Sequence, residues 1–195
     1  MTLVHHKFQA VDGLTLPEEI RSLLRPDEEV ALPNKLWGRL PRYFYAVANR
    51  EEGNKLLTPN FALAELMIVD CRESRILFER WPRYVPCAIM LLTAFLQAFR
   101  DKIGLPVYVA ANGGYRSPSH QINKCLGAHS WAIAADIYRV GDTYLTDKYQ
   151  IEKYGSLAQS TGFHLKSSRP EVDEASDHLH VELEILSAMP SDGIA

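Results

Sequence analysis

Residues 129–136 read HSWAIAAD, and this stretch indicates how the centre of the chain folds. The run from Ile133 to Val140 is apolar and small-sided around Asp136, which predicts a buried strand with a carboxylate inside it. His129 precedes that strand and is predicted to lie on a loop. The spacing of seven residues between His129 and Asp136 is not the i, i+4 pair of a single helix, so tertiary structure has to bring the two side chains together.

The carboxylate of Asp136 is predicted to lie among small apolar residues, where an unpartnered charge is costly. Coordination of a metal ion stabilises the charged form of such a carboxylate. The alternatives are an aspartate that caps a turn and an aspartate that pairs with Arg139.

A second polar cluster, DHLH, occupies residues 177–180. Residues from His178 to Ile185 alternate well enough for a strand, and on a strand His178 and His180 share a face. One imidazole can bind a metal ion while the other reaches a substrate, and Asp177 is a candidate general base. Two imidazoles and the Asp136 carboxylate suit zinc. The alternatives are a pH-sensitive surface pair and a satisfied core histidine.

The third motif is GYRSP, residues 114–118, which follows a further glycine at position 113. Glycines permit close backbone approach and unusual dihedral angles, so Arg116 can be fixed at the edge of a site. A guanidinium there can bind a carboxylate bidentately or stabilise a developing oxyanion. The alternative is a surface arginine near the start of a helix, because Ser117-Pro118 predicts a helix that ends near Cys125.

The remaining pattern mixes helices with non-repeating strands, which indicates the α+β class. Residues 1–55 are predicted to be an N-terminal extension packed on the main domain, residues 56–195. In the extension, a capping box at Thr15 opens a helix through Leu24, and an irregular, proline-containing segment follows over 26–45. The main domain is predicted to contain helices over about 62–67, 86–103 and 147–160 and strands over 105–111, 133–140 and 178–185.

The charge, the apolar runs and the cysteines of the chain bear on its class of function and on its location. The net charge of -3 and the lack of a basic run argue against nucleic-acid binding. No apolar run approaches the roughly 18 residues of a membrane span, and the N-terminus lacks the apolar region of a secretory signal. A cytoplasmic location is therefore expected, with release to the cell wall by a phage-type route as the alternative. The three cysteines show no CxxC pattern, so free thiols are expected.

Together the three motifs resemble the zinc D-alanyl-D-alanine carboxypeptidase family, which includes D,D-dipeptidases and phage L-alanyl-D-glutamate endopeptidases. Its signature runs G-Y-R-S, then S-x-H-x-x-G-x-A-x-D, then D/E-x-x-H. The motifs GYRS at 114–117, HSWAIAAD at 129–136 and DHLH at 177–180 match it in order, and residues 57–65 look like its N-F-x-x-x-E entry. Ala132 stands where the signature has glycine, and Gly127 stands where it has serine.

The resemblance implies a role for each matching residue. The implied zinc ligands are His129, Asp136 and His180. Asp177 would act as general base, Arg116 would anchor or polarise the scissile carbonyl, and His178 would assist in the transition state. The implied fold is a small antiparallel sheet flanked by helices, as in Hedgehog signalling domains.

The function expected from these motifs is zinc-dependent hydrolysis of a peptide bond involving D-amino acids. The substrate would be a D-Ala-D-Ala peptide or a peptidoglycan-derived peptide. Two alternatives stay open: a zinc-stabilised binding module that has lost catalysis, and a hydrolase of another amide whose cleft is covered by residues 1–55. Retention of Asp177 and Arg116 speaks against the binding module, since a structural zinc normally has four protein ligands.

Overall fold

A computed structural model of the protein describes residues 8–32, 37–123, 126–165 and 177–183. Within these ranges short helices accompany antiparallel sheets of two to four strands, and the predicted α+β class is confirmed. The strands are β1 (Gln9–Asp12), β2 (Glu29–Ala31), β3 (Trp37–Arg39), β4 (Tyr43–Val47), β5 (Leu56–Thr58), β6 (Phe61–Ala62), β7 (Arg83–Pro86), β8 (Val107–Val109), β9 (Ala134–Val140), β10 (Thr143–Tyr144) and β11 (Leu179–Glu182). The α-helices are α1 (Glu18–Leu24), α2 (Arg50–Gly53), α3 (Arg75–Glu79), α4 (Ile89–Ile103) and α5 (Lys148–Gln159).

The sheet that carries the candidate site is built around β9, the strand predicted over 133–140. β8 pairs with one edge of β9, while β10 and β11 pair with successive parts of the other edge, all antiparallel. Ala134, Ala135 and Ile137 of β9 are fully buried, because the strand has neighbours on both edges and core on its faces. A central, enclosed position explains why this strand has small apolar residues rather than polar alternation.

Helix α4 confirms most of the helix predicted over 86–103, but the predicted start is wrong, since Pro86 lies in β7. It ends at Gly104, whose φ of +65° is the left-handed conformation that glycine adopts without a steric penalty. Its inward face is buried through Ile89, Leu92, Leu96 and Phe99. α5, which confirms the helix predicted over 147–160, packs against α4 and β11. No helix within the described ranges has the length and apolarity to cross a bilayer.

The N-terminal part contains regular structure where an irregular segment is predicted. β2 pairs with β3, and β4 lies between β1 and β7 in a three-stranded sheet. The prediction of an irregular segment over 26–45 is therefore wrong. In sequence, the prolines at positions 26, 33 and 41 separate these strands instead of interrupting them, in keeping with the positions that strands tolerate for proline.

The first helix is confirmed, but its start differs from the prediction. Thr15 lies in a separate 3₁₀ turn, Gly13–Thr15, whose N-cap is the Asp12 carboxylate accepting from the Leu14 N–H. α1 begins three residues later without a side-chain cap. The capping-box interpretation of Thr15 is therefore wrong, while the helical segment through Leu24 stands.

The N-terminal part contacts the segment that directly precedes β9. The Trp131 indole N–H donates a hydrogen bond of 2.8 Å to the Arg39 carbonyl on β3. Phe8 and Val47 belong to the same buried cluster as the core side of α4. One hydrogen bond thus connects β3 with the turn that contains Trp131.

The helix predicted to follow Ser117-Pro118 is absent from residues 117–123, which form turns, and the predicted end at Cys125 lies outside the described residues. The Ser117 hydroxyl donates 2.7 Å to the buried carboxylate of Glu73, which also accepts from the Ser117 N–H. Ser117 is thus used for a tertiary contact rather than as a helix cap. Of the expected free thiols, Cys71 and Cys87 are unpaired.

Candidate metal centre

His129 lies on a tight turn rather than on a regular strand or long helix, as predicted. The turn is a 3₁₀ helix, Ala128–Trp131, and it ends at Ala132 with φ +57° and ψ +38°. This left-handed conformation favours glycine, because the β-carbon of other residues crowds the backbone. Here an alanine adopts it.

Replacing Ala132 by glycine is expected to change the free energy of unfolding by less than about 1 kcal/mol. The loss of a buried methyl group, about 0.8 kcal/mol, is offset by relief of the left-handed alanine, about 1 kcal/mol. Ala135→Gly is the matched control, since Ala135 is equally buried but lies on β9 without a positive φ. Chemical denaturation should show that Ala135→Gly is clearly more destabilising; equal losses would contradict the conformational explanation.

Asp136 and His180 come together through strand pairing. They are direct partners in the antiparallel register of β9 and β11, and His180 Nδ1 lies 2.7 Å from Asp136 Oδ1. Arg139, the alternative partner of Asp136, instead stacks on the Tyr108 ring, 3.9 Å from its centroid. Arg139 lies three positions after Asp136, so their side chains leave opposite faces of β9.

The turn and the sheet together bring three ligand atoms to one place. His129 Nε2 lies 3.3 Å from Asp136 Oδ1. The ligand atoms of His129, Asp136 and His180 all lie within 4.8 Å of one another, and this buried group could hold a metal ion. His129 and Asp136 are less than a tenth exposed. The structure therefore brings together the three residues that the sequence predicted as one cluster.

The second nitrogen of each imidazole is already bound by the protein. His129 Nδ1–H donates 2.8 Å to the Gly114 carbonyl, and His180 Nε2 lies 3.1 Å from Glu182 Oε2. These acceptors orient the rings so that His129 Nε2 and His180 Nδ1 face Asp136. Metal-binding histidines generally have such a second acceptor, which sets the tautomer and strengthens the ligand.

The charges of the three side chains also fit a cation. Burial lowers the pKa of His129, so this ring is neutral. Burial by itself raises the pKa of Asp136, but the contacts with His129 and His180 hold that pKa well below its usual range. Burial opposes a charged His180, yet the hydrogen bonds to Asp136 and Glu182 raise its pKa to about 9. A cation bound at His180 Nδ1 therefore takes the place of a proton that this nitrogen otherwise shares with Asp136.

Arg116 reaches the site because of the two glycines before it. A β-carbon on Gly114 would lie 2.2 Å from the Leu66 carbonyl oxygen, and one on Gly113 would lie 2.8 Å from the Asp136 carbonyl oxygen. The backbone therefore passes closely between these two segments, which only glycine allows. The Arg116 side chain is 14% exposed, and its Nη1 lies 3.9 Å from Asp136 Oδ2. Its Nε is buried without a hydrogen-bond partner among the described residues.

His178 and Asp177 lie at the entrance to the site. Asp177 Oδ1 lies 2.7 Å from His178 Nδ1, and His178 Nε2 lies 3.6 Å from Asp136 Oδ1. The hydrogen bond with His178 lowers the pKa of Asp177, which keeps this exposed carboxylate ionised. His178 thus stands between Asp177 and the three candidate ligands.

All six predicted site residues line one open cavity of about 560 Å³. Its walls also contain two charged residues that the sequence interpretation did not include, Arg72 and Glu182. Glu182 could have been found from the sequence, because it continues the alternation of His178 and His180 along β11. Arg72 carries no such pattern. Among the lining residues of this cavity none precedes Arg72, so the described part of residues 1–55 does not cover it.

Comparison of the chain with protein-family models, with curated proteins and with solved structures gives no match.

Proposed function

We propose that this protein is a zinc-dependent peptidase that hydrolyses a peptide bond involving D-amino acids, in a D-Ala-D-Ala or peptidoglycan-derived peptide. The observation that carries the proposal is the convergence of His129, Asp136 and His180 in the wall of an open cavity. A structural zinc normally has four protein ligands, whereas a catalytic zinc has three and keeps its fourth position for water or substrate. The choice of D-amino acids comes from the resemblance of the three motifs.

The donor set favours zinc. Two imidazole nitrogens and one carboxylate oxygen are borderline ligands, and zinc accepts this combination in catalytic sites. Bound there, zinc would supply a Lewis acid that polarises a carbonyl group and acidifies a water molecule.

Asp177 and His178 are positioned to handle the proton. Asp177 is ionised and holds His178, whose other nitrogen faces the ligand cluster. In the proposed reaction this pair accepts one proton from the attacking water and delivers it to the leaving amine as the C–N bond breaks. The other proton of the water stays on the oxygen that joins the carbonyl carbon and is lost to solvent when the new carboxyl group ionises. His178 connects the exposed carboxylate with the inner part of the cavity.

Arg116 supplies a fixed positive charge. Its guanidinium is mostly buried beside Asp136 and retains an Nε–H without a partner in the described part of the chain. A carbonyl oxygen that gains negative charge during hydrolysis would receive hydrogen bonds from this group. Because the guanidinium is held in place beforehand, little reorganisation is required when the charge develops.

The proposal is tested with full-length protein that is zinc-loaded, chelator-treated and reloaded. We expect about one zinc per chain and zinc-dependent release of amino acid or peptide from at least one of D-Ala-D-Ala, a pentapeptide ending in D-Ala-D-Ala, and muropeptides. L-Ala-L-Ala is the control and should stay intact. Absence of zinc contradicts the metal site, zinc without hydrolysis supports the binding module, and cleavage of the all-L control supports a different amidase.

A further inference from the structure

Arg72 is the second arginine of the cavity wall, and its side chain is held in an unusual way for a residue that is 46% exposed. Its Nε lies 3.0 Å from both carboxylate oxygens of Asp70, and its Nη2 lies 2.6 Å from Oδ2. Asp70 also accepts from the backbone N–H of Arg72. These contacts fix the plane of the guanidinium.

Asp70 is itself fixed by a buried polar pair. Asn112 Nδ2 donates 2.9 Å to Asp70 Oδ2, and Asn112 Oδ1 accepts from the Asp70 N–H. His120 Nε2 lies 2.9 Å from the same Asn112 oxygen, and His120 Nδ1 accepts from the Ile122 N–H. Asn112 and His120 are 5% and 2% exposed. The chain of contacts therefore connects an exposed cation to the protein interior.

A simple surface ion pair does not require such support, because exposed pairs contribute little to stability. Asn112 even holds a left-handed φ of +59°, which is uncommon outside glycine. A guanidinium has five N–H donors, and Asp70 engages only those on Nε and Nη2. The Nη1 donors have no protein partner among the described residues and belong to a side chain that lines the cavity.

Arg72 and Arg116 are placed to contact one ligand in the cavity. Both guanidinium groups belong to side chains that line the one cavity. Arg116 Nη1 lies 3.9 Å from Asp136 Oδ2 in the ligand cluster, whereas Arg72 is paired with Asp70. The two cations can therefore bind different groups of one ligand.

We propose that Arg72 forms a carboxylate-binding subsite in the wall of the cavity, so that the preferred substrates are peptides with a free carboxylate. This inference rests on the proposed function for the identity of the ligand as a peptide. Asp70 orients the guanidinium fork, and the free donors bind the substrate carboxylate by charge-assisted hydrogen bonds. Asn112 and His120 act as positioning residues through Asp70.

The test measures binding by calorimetry to zinc-loaded, full-length protein with the Asp177→Asn substitution, which prevents turnover. The probes are N-acetyl-D-Ala-D-Ala and its C-terminal amide, which differ only in the carboxylate. In the parent protein, which carries only the Asp177→Asn substitution, the acid is expected to bind about tenfold or more tightly than the amide. Arg72→Gln should reduce the affinity for the acid to that for the amide, and Arg72→Lys should fall between, because lysine keeps the charge but lacks the fork.

Arg75→Gln is the matched control. Arg75 is an exposed arginine three residues away, also paired with a carboxylate, that of Glu79, but it does not line the cavity. It should keep the full preference for the acid. Melting curves are recorded for each variant, and Arg72→Lys provides the comparison if Arg72→Gln is unfolded.

Three results would overturn the inference: equal affinity for acid and amide in the parent, binding of neither probe, or a preference for the acid that survives Arg72→Gln and Arg72→Lys. These results are distinct from failure of the proposed function. If wild-type protein hydrolyses the acid and the amide at equal rates, the peptidase proposal stands and the subsite is removed. If the protein hydrolyses no member of the peptide panel but prefers the acid in an Arg72-dependent way, the subsite stands and the peptidase proposal is removed.

Discussion

Replacing His180 by alanine is expected to remove the bound metal and all peptidase activity together. The substitution deletes one of three candidate ligands and leaves Asp136 without its closest partner, the 2.7 Å contact from His180 Nδ1. Loss of an outer partner of a metal ligand typically costs about 10- to 100-fold in affinity, so loss of the ligand itself should cost more than about 100-fold. Equilibrium dialysis followed by metal analysis measures this directly.

Glu182→Gln provides the graded comparison for that experiment. It alters the acceptor of the His180 Nε2–H but leaves the three ligand atoms in place. We expect it to weaken zinc binding within the 10- to 100-fold range, between wild type and His180→Ala. Unchanged zinc affinity in His180→Ala would exclude His180 from the ligand set.

Replacing Asp177 by alanine is expected to have the opposite signature: full zinc content with a large loss of turnover. Asp177 is exposed at the entrance of the cavity and contacts His178 rather than the three ligands. Positioned general acid–base groups typically contribute about 10²- to 10⁴-fold to the rate, so kcat should fall by that factor. Asp177→Asn should show the same loss, since an amide does not accept the proton.

The control for this substitution is Asp142→Ala, which removes an exposed aspartate at the turn between β9 and β10 that does not line the cavity. It should keep both zinc and activity. Steady-state kinetics on the best peptide of the panel, together with zinc content, separate the two effects. Wild-type turnover in Asp177→Ala would remove this residue from the mechanism and leave His178 as the proton acceptor.

Local patterns predicted much of the secondary structure because they depend on near neighbours in sequence. α4 with its terminal Gly104, the buried strand β9 and the helix α5 follow from periodicity and end signals. The predictions failed where a residue is used for a distant contact. Ser117 resembles a helix cap in sequence, yet its hydroxyl binds Glu73, which lies forty-four residues earlier.

The support of the candidate site was largely beyond local inference. Asp70, Asn112 and His120 form a network over as many as fifty residues of sequence, with no periodic signal that would group them. Trp131 is hydrogen bonded to Arg39 across an even longer separation. Such contacts depend on how layers pack, and single-sequence patterns do not contain that information.

The sequence by itself determined which residue types are available for chemistry: two histidines and an aspartate, an arginine after two glycines, and a second aspartate beside an HxH pair. Spacing also indicated that His178 and His180 share one face of a strand. Only the tertiary structure decided that these side chains meet. The antiparallel register places Asp136 opposite His180, and the left-handed turn at Ala132 returns His129 to the same point, because convergence depends on strand pairing and backbone dihedral angles rather than on sequence distance.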